Sequence, residues 1–565
     1  MSFYSYGVLS RTYHHVQRYR EVITIFLKYG FDEFRQLVQA NRYLSSALRL
    51  SRRRKREKAA VERSRPVRLR LALQDLGPTF VKMGQILATR ADLIPEDYIR
   101  ELHKLEDEVP AVPYAEIKDK IETELGTALR THFSEFDKEP LAAASIAQIH
   151  KARLITGEPA VVKVQRPGLR HQINTDLEIM ETLAGLMEKH VEGWSVHQPT
   201  KIIQQMSRML RKELDFNIEA SHIQRFRHQF KGNPTVHVPQ VFSNASSEKV
   251  LTMEFLDGVK ATSLESLLEK GYDLKRIARE TAELMMKQIF EHGFFHADPH
   301  AGNIFVLPDQ KIAFIDFGMM GMMNLTLREQ FGDLLFQIAR RDESAATDAL
   351  LRLTSSQRPP ERGPLEADVA EFMTLHFYKP IGEMSFGRLL QELLNKTTRH
   401  GLRIPMDIFL LIKAVGTFES VVRELDPGFD ILKETKPYVR KVRINRMHPS
   451  RLTRNLVDSG LSALDFIKEL PEDLKSFVQA VEKGKARLAF EHHGLGPLIQ
   501  GLERVSNRIA FAIVLAALIV GSSLMVHARL PPTWNDIPII GLVGFLMAAV
   551  MGFGLLVSIL RHGKM

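Results

Sequence analysis

Asp298, Asn303 and Asp316 are a carboxylate, an amide and a second carboxylate, spaced five and then thirteen positions apart. The first two lie in His296-Ala297-Asp298-Pro299-His300-Ala301-Gly302-Asn303 and the third in Asp316-Phe317-Gly318. Phosphoryl transfer needs this kind of set. One carboxylate takes the proton of an attacking hydroxyl, while an amide oxygen and another carboxylate hold the hard divalent cations that neutralise the transferring group. All three must surround one nucleotide, so the residues between them have to act as a rigid spacer.

Ile304-Phe305-Val306-Leu307 and Lys311-Ile312-Ala313-Phe314-Ile315 are apolar runs on either side of Pro308-Asp309-Gln310, which predicts a β-hairpin as that spacer. The offsets are those of a protein-kinase catalytic loop and its D-F-G. That pattern requires an upstream lysine on a strand. Pro159-Ala160-Val161-Val162-Lys163-Val164-Gln165 supplies Lys163, in the position that binds α- and β-phosphates. Its acidic partner belongs on a following helix. Glu213-Leu214-Asp215-Phe216-Asn217-Ile218-Glu219-Ala220 reads as helical, with Asp215 and Glu219 on one face and Glu213 elsewhere. Glu219 is the favoured partner, leaving Glu213 and Asp215 for another basic group or a metal; spacing leaves that choice open. The run from Val250 to Gly258 reads as a strand and turn where the chain crosses between lobes, with Met253 and Glu254 level with the adenine.

Some familiar features are missing. No G-x-G-x-x-G precedes Lys163; Ala142, Ala143, Ala144 and Ser145 stand in its place. Each added methyl restricts both the backbone dihedrals and the approach of amides to phosphate, so nucleotide has to sit differently. The absence of G-x-x-x-x-G-K-[ST] excludes a P-loop ATPase at motif level. Ala297 replaces the arginine that usually precedes the catalytic aspartate, and no A-P-E follows Gly318. A phosphorylated activation loop would therefore lack its basic partner. Met319-Met320-Gly321-Met322-Met323 reads as adaptable core. The bland alternative for the H-x-D-x-H run is a metal cluster or a surface loop.

Together with Lys82-Met83-Gly84-Gln85 and Thr89-Arg90-Ala91-Asp92-Leu93-Ile94-Pro95, these motifs resemble the UbiB family of atypical kinases, the aarF-domain proteins, from about Leu71 to about Tyr438. The resemblance implies an α+β, two-lobed protein-kinase-like fold that uses ATP and Mg2+. It also implies association with a quinone-bearing membrane in support of ubiquinone biosynthesis, with membrane lipids, prenylated quinone precursors and other quinone-biosynthesis proteins as partners. In that family the K-x-G-Q segment folds over the active site where a peptide would lie. Lys82 and Gln85 are then expected near the nucleotide, with Glu213 or Asp215 as polar neighbours. From the residues alone, Leu71, Leu73, Leu76, Phe80, Val81, Met83 and Leu87 predict helices packed on a core.

Ile509 to His527 and Ile537 to Leu560 are apolar enough to predict a transmembrane helical hairpin across a core of roughly 30 Å, with Trp534 as an interfacial aromatic in the linker. Arg504 and Arg508 precede the first span and Arg561 and Lys564 follow the second, while the linker has only Arg529. The positive-inside tendency puts both termini and the catalytic domain on the cytoplasmic side of what is expected to be a bacterial inner membrane. Ala517 and Gly521 are spaced to permit a homodimer.

The total absence of cysteine excludes disulfides, a thiol nucleophile and cysteine metal sites. Tyr4 to Arg20 is polar and aromatic, and no secretory peptide is expected there. Much of the net charge of +10 lies between Arg52 and Arg70. No nucleic-acid module accompanies it, so nucleic acid is not an expected partner and anionic headgroups are. The predicted division is a helical and basic segment over 1–70, an extension carrying K-x-G-Q over 71–138, a kinase-like N-lobe over 139–257, a C-lobe over 258–445, a helical linker over 446–508 and two transmembrane helices over 509–560.

Overall fold

The structure is a computed structural model that describes residues 4–31, 63–88, 93–105, 109–190, 199–356, 360–377, 385–446, 495–528, 531–534 and 537–562. Arg52 to Lys58, the Thr89 to Asp92 half of the second family motif, and 447–494 of the expected linker lie outside the described residues. The chain forms two units, Met1–Leu452 and Thr453–Met565.

The first unit opens with helices α1 (Tyr4–Lys28), α2 (Arg65–Leu76), α3 (Pro78–Ala88), α4 (Glu96–Leu102) and α5 (Tyr114–Leu125). Strands β1 (Phe133–Phe136), β2 (Ala142–Ala143), β3 (Ala147–Leu154) and β4 (Pro159–Gln165) follow, then α6 (Leu169–His190), α7 (Pro199–Glu213), α8 (Phe216–Gln229), β5 (Val236–His237) and β6 (Val250–Glu254). Gly77, at φ 92, ends α2 and turns the chain into α3. The expected apolar face is observed: Leu73, Leu76, Phe80, Val81 and Met83 are buried in one cluster with Val22 and Ile23 of α1 and Leu177 and Leu210 of α6 and α7. Arg18 locks α1 onto this layer, donating from Nε to the fully buried Asp176 at 2.7 Å and from Nη2 to the Leu76 carbonyl at 2.7 Å. Gly84 lies close under the ends of two leucine side chains: a Cβ there would lie 2.4 Å from Leu105 Cδ1 and 2.9 Å from Leu73 Cδ1, so both would have to shift to admit one.

The N-lobe sheet runs β1-β3-β4-β6, antiparallel throughout, with β2 added on β3. Strand alternation divides its two faces. Ala160, Val162 and Val164 pack with Ile117 and Ile121 of α5, while Val161 joins Leu251 and Met253 on the opposite face. Lys163 pairs in register with Ile149 and Leu251, which puts its side chain on that second face.

The C-lobe contains β7 (Val259–Lys260), α9 (Leu264–Glu269), α10 (Leu274–Met286), β8 (Phe294–His296), β9 (Ile304–Val306), β10 (Ile312–Phe314) and β11 (Met320–Met322). Helices α11 (Leu325–Arg340), α12 (Glu343–Leu353), α13 (Arg362–Phe377), α14 (Phe386–Arg399), α15 (Met406–Leu425) and α16 (Ile431–Arg446) complete it. A second sheet runs β5-β10-β9-β7, and β8 pairs with β11. The α+β fold expected from the sequence is observed. The methionine segment is only partly core: Met323 is buried, whereas Met322 on β11 is 51% exposed. Helices α14 and α15 cross at backbone contact, because a Cβ on Gly387 would lie 2.6 Å from Gly416 Cα. Glu419, 2% exposed, secures the crossing by accepting from Ser385 Oγ and from the amides of Phe386 and Gly387.

Among the described residues, the second unit contains α17 (Leu495–His527) and α18 (Ile539–His562) packed side by side, with a short antiparallel strand pair, Thr533–Trp534 and Ile537–Pro538, between them in sequence. Ile509–His527 is long and apolar enough to cross a bilayer. The described apolar stretch of the second helix, Ile539–Phe553, is shorter than a full crossing, so the expected two-span hairpin is observed in part. Gly541 and Gly544 make the close contacts of this pair, against Val526 and Ser522, whereas Gly521 has no heavy atom within 4 Å of its Cβ position.

Candidate active site

The predicted hairpin forms, with Ile304 opposite Phe314 and the Leu307 N–H donating to the Lys311 carbonyl at 2.9 Å. One step beyond the ladder the Ile315 N–H donates to the Asn303 carbonyl at 2.9 Å. Asn303 is thereby fixed opposite the residue that precedes Asp316. Asn303 Nδ2 donates to the Asp298 carbonyl at 3.3 Å, leaving its amide oxygen as the end that can meet a cation. Asp316 adopts φ 59, a left-handed conformation costing about 1–2 kcal/mol for a residue with a Cβ. Burial of the next residue holds it there: Phe317 is fully buried, edge-on to Phe226 at 5.2 Å.

His296 belongs to the framework. It is fully buried, and burial pushes its imidazole below the usual range. The Asp298 N–H donates to Nδ1 at 3.2 Å, so the proton sits on Nε2, which donates to the Ile315 carbonyl at 3.3 Å. Both ring nitrogens are therefore committed, which argues against a metal cluster built on this histidine.

Lys163 Nζ lies 2.9 and 2.8 Å from the two oxygens of Glu219 and 3.5 Å from Asp316 Oδ1. Burial disfavours the lysine's charge, but Glu219 and Asp316 outweigh it and raise its pKa. Burial also pushes the Glu219 carboxyl up, opposed by Lys163. Asp316 is held well below the carboxylate range, chiefly by Lys163. Its side chain is 54% exposed, so it is both ionised and reachable.

The acidic run is not one helix. Helix α7 ends at Glu213 and α8 begins after Asp215, whose side chain accepts the Asn217 N–H at 3.0 Å. An aspartate able to cap competes locally with helix continuation, and buried Leu214 marks the break. Glu213 is thereby free to meet Lys82 Nζ at 2.8 Å, while Asp215 is spent on the cap. Gln85 Nε2 donates to the Leu105 carbonyl at 3.1 Å and ties the extension to itself.

The alanine segment makes a tight turn, Ala142 and Ala143 pairing with Ile149 and Gln148 and the Ala144 N–H donating to the Ala147 carbonyl at 2.8 Å. Ser145 is 2% exposed, with no hydrogen-bond partner for its hydroxyl, and Ile146 is buried among the apolar residues of the N-terminal helices. Arg166 holds the turn from behind, donating its N–H to the Ile146 carbonyl at 3.0 Å and Nη1 to the Ala144 carbonyl at 3.3 Å. Met253 is buried on the Lys163 face of the sheet, opposite Val161. Glu254 is occupied at its side chain by His237, 3.0 Å away.

Two residues beside Asp298 escaped the sequence reading. Lys413 of α15 puts Nζ 3.1 Å from Asp298 Oδ2. His103, just after α4, has its imidazole pKa lowered by burial and by Lys413, with Asp298 opposing. The available signal for Lys413 was a lone cation in the otherwise apolar Ile408-Phe409-Leu410-Leu411-Ile412-Lys413-Ala414-Val415.

Residues 104–350 match the ABC1 atypical kinase-like domain, 369–430 the UbiB helical domain and 493–561 the ABC1/UbiB kinase-like C-terminal domain. An uncharacterized protein in the hydrogenase 1 5′ region of Clostridium pasteurianum is 32% identical over 500 residues, covering 88% of this chain and 94% of that one. The probable protein kinase UbiB of Pseudomonas fluorescens SBW25 is 36% identical over 421 residues, 73% of this chain and 78% of its own. The chain belongs to the ABC1/UbiB family of atypical kinase-like proteins. A solved Mycobacterium tuberculosis protein, in complex with erythromycin, overlays with a TM-score of 0.43 at 25% identity, covering 61% of this chain and 92% of that one. In this ABC1/UbiB chain the His296 to Asn303 loop, Asp316-Phe317-Gly318 and Lys163 fall within the kinase-like match. Lys413 reaches them from the region matching the UbiB helical domain.

Proposed function

We propose that this chain binds Mg-ATP and transfers the terminal phosphoryl group to water or a small hydroxyl-bearing acceptor at a membrane, in support of ubiquinone or related prenylquinone biosynthesis. The observation that carries this reading is the convergence of Lys163, Glu219, Asp316, Asn303 and Asp298, with Lys82 and His103 of the helical extension interacting electrostatically with the same cluster. Lys163 would position the phosphates and Glu219 hold Lys163. Asn303 and Asp316 offer the amide and carboxylate oxygens that suit Mg2+, which when bound would neutralise charge on the phosphates. Asp298 would accept the acceptor's proton. The backbone from Ala142 to Ser145 and at Met253 and Glu254 would border the nucleotide.

An extension whose His103 and Lys82 act electrostatically with Asp298 and Asp316 favours a small acceptor over a peptide. The apolar Ile509–His527 helix supports handling of lipid or prenylated precursors, with the catalytic unit on the cytoplasmic side. ATP hydrolysis by the detergent-purified full chain, with and without liposomes and a phenolic quinone-precursor mimic, tests the reading. Turnover that rises with lipid or phenol and is lost in Asp298→Asn is expected. Tight Mg-ATP binding with no turnover under any condition would replace the reading with a nucleotide-gated scaffold, the alternative that the pinned alanine turn favours.

A further inference from the structure

The loop His296 to Asn303 contains no lysine or arginine, and Lys163 is already held between Glu219 and Asp316. A cation paired with Asp298 comes from elsewhere in the fold. Lys413 extends from α15, whose Ile408, Phe409, Leu411, Ile412, Ala414 and Val415 are all buried, and places Nζ 3.1 Å from Asp298 Oδ2. The same nitrogen lies 3.9 Å from Met319 Sδ, just after the D-F-G. A rigid helix thus aims one cation at the acceptor side of the site, with Lys413 21% and Asp298 36% exposed at the side chain.

Resting on the phosphoryl-transfer reading above, we propose that Lys413 is a catalytic cation of that reaction, holding Asp298 in the ground state and passing to the transferred phosphoryl group as Asp298 is protonated. The acceptor oxygen forms its bond to the γ-phosphorus, its proton goes to Asp298, and the bond from that phosphorus to the β,γ-bridging oxygen breaks with its electron pair leaving on the nucleoside diphosphate. Protonation removes the negative charge that Lys413 faces. Negative charge remains on the equatorial phosphoryl oxygens nearby, and the ammonium is then attracted to them. Basic residues that act only at this stage affect turnover more than nucleotide affinity.

The test compares Lys413→Met and Lys413→Arg in the detergent-purified full chain, beside Asp298→Asn. Lys413→Met is expected to lower kcat by on the order of 100-fold, the scale of losing one transition-state donor, with ATP affinity changed less than about 3-fold. Lys413→Arg is expected to recover part of the loss. A second readout needs no turnover. Binding of Mg-ADP with aluminium fluoride, which mimics a planar phosphoryl group, is expected to weaken in Lys413→Met while Mg-ATP binding holds.

Wild-type kcat and aluminium fluoride affinity in Lys413→Met, with Asp298→Asn inactive, would overturn the role of Lys413 and leave the phosphoryl-transfer reading standing. Equal loss of ATP and aluminium fluoride binding would also overturn it, showing a structural role. A wild-type protein that binds Mg-ATP but never turns over would bring down both.

Discussion

Lys82 of the helical extension and Glu213 at the end of α7 form an ion pair of 2.8 Å at the edge of the Lys163–Glu219–Asp316 cluster. Lys82 helps hold Asp316 ionised, and Glu213 acts on both Lys163 and Glu219, so positive and negative charges alternate from the extension into the cleft.

Removing Lys82 alone leaves Glu213 as an uncompensated anion beside a site for an anionic nucleotide. Lys82→Met is therefore expected to weaken Mg-ATP binding, and adding Glu213→Gln to restore part of it. A double-mutant cycle on ATP affinity should give a coupling of about 0.5–3 kcal/mol. Simple additivity would mean that the pair does not act on the nucleotide site.

Lys163 and Glu219 are 16% and 6% exposed at their side chains, so neither finds much water if its partner is lost. Lys163→Met should destabilise the first unit by about 3 kcal/mol, measured by denaturant unfolding, because it strands a buried carboxylate. Lys163→Met with Glu219→Gln should regain much of that stability without regaining nucleotide binding.

Asp316 is depressed chiefly by Lys163, which sets the sign of a pH effect. The favourable Asp316–Lys163 interaction is fully present above the ordinary carboxylate pKa of about 3.9 and is lost only as pH falls through the lower folded value. Wild-type affinity for a Mg-bound non-hydrolysable ATP analogue should thus show no loss attributable to Asp316 between about pH 7 and pH 5. Followed by NMR titration of the carboxyl itself, Asp316 should titrate at higher pH in Lys163→Met than in the wild type. Identical titration in the two proteins would remove Lys163 as the cause.

The crossing of α14 and α15 leaves no room for a side chain at Gly387, where the obstacle is the Gly416 backbone and not a flexible side-chain end. Gly387→Ala is expected to cost about 1–3 kcal/mol by overpacking. Thermal unfolding of the variant at the wild-type midpoint would show that the helices separate freely.

The hairpin between Asn303 and Asp316 was legible because its causes are local, in turn residues flanked by short apolar runs. Lys163 was legible for the same reason, as a lysine in a β-branched run paired on both sides. The break at Leu214 was hidden because Asp215 suits a helix face and a helix cap equally well in sequence, and only its bond to the Asn217 amide distinguishes them. Burial of Ile146 among the N-terminal helices leaves no local trace, since alanine and isoleucine read the same in a turn or a core.

The sequence by itself determined the strand carrying Lys163, the hairpin, the order of the motifs and an apolar helix of membrane-spanning length, all properties of neighbouring residues and backbone periodicity. Only the tertiary structure decided which charges meet: Lys82 with Glu213, Lys163 with Glu219, and Lys413 with Asp298. Coulomb interaction depends on separation in space, and for residues this far apart in the chain that separation is set by how buried helices and sheet pack.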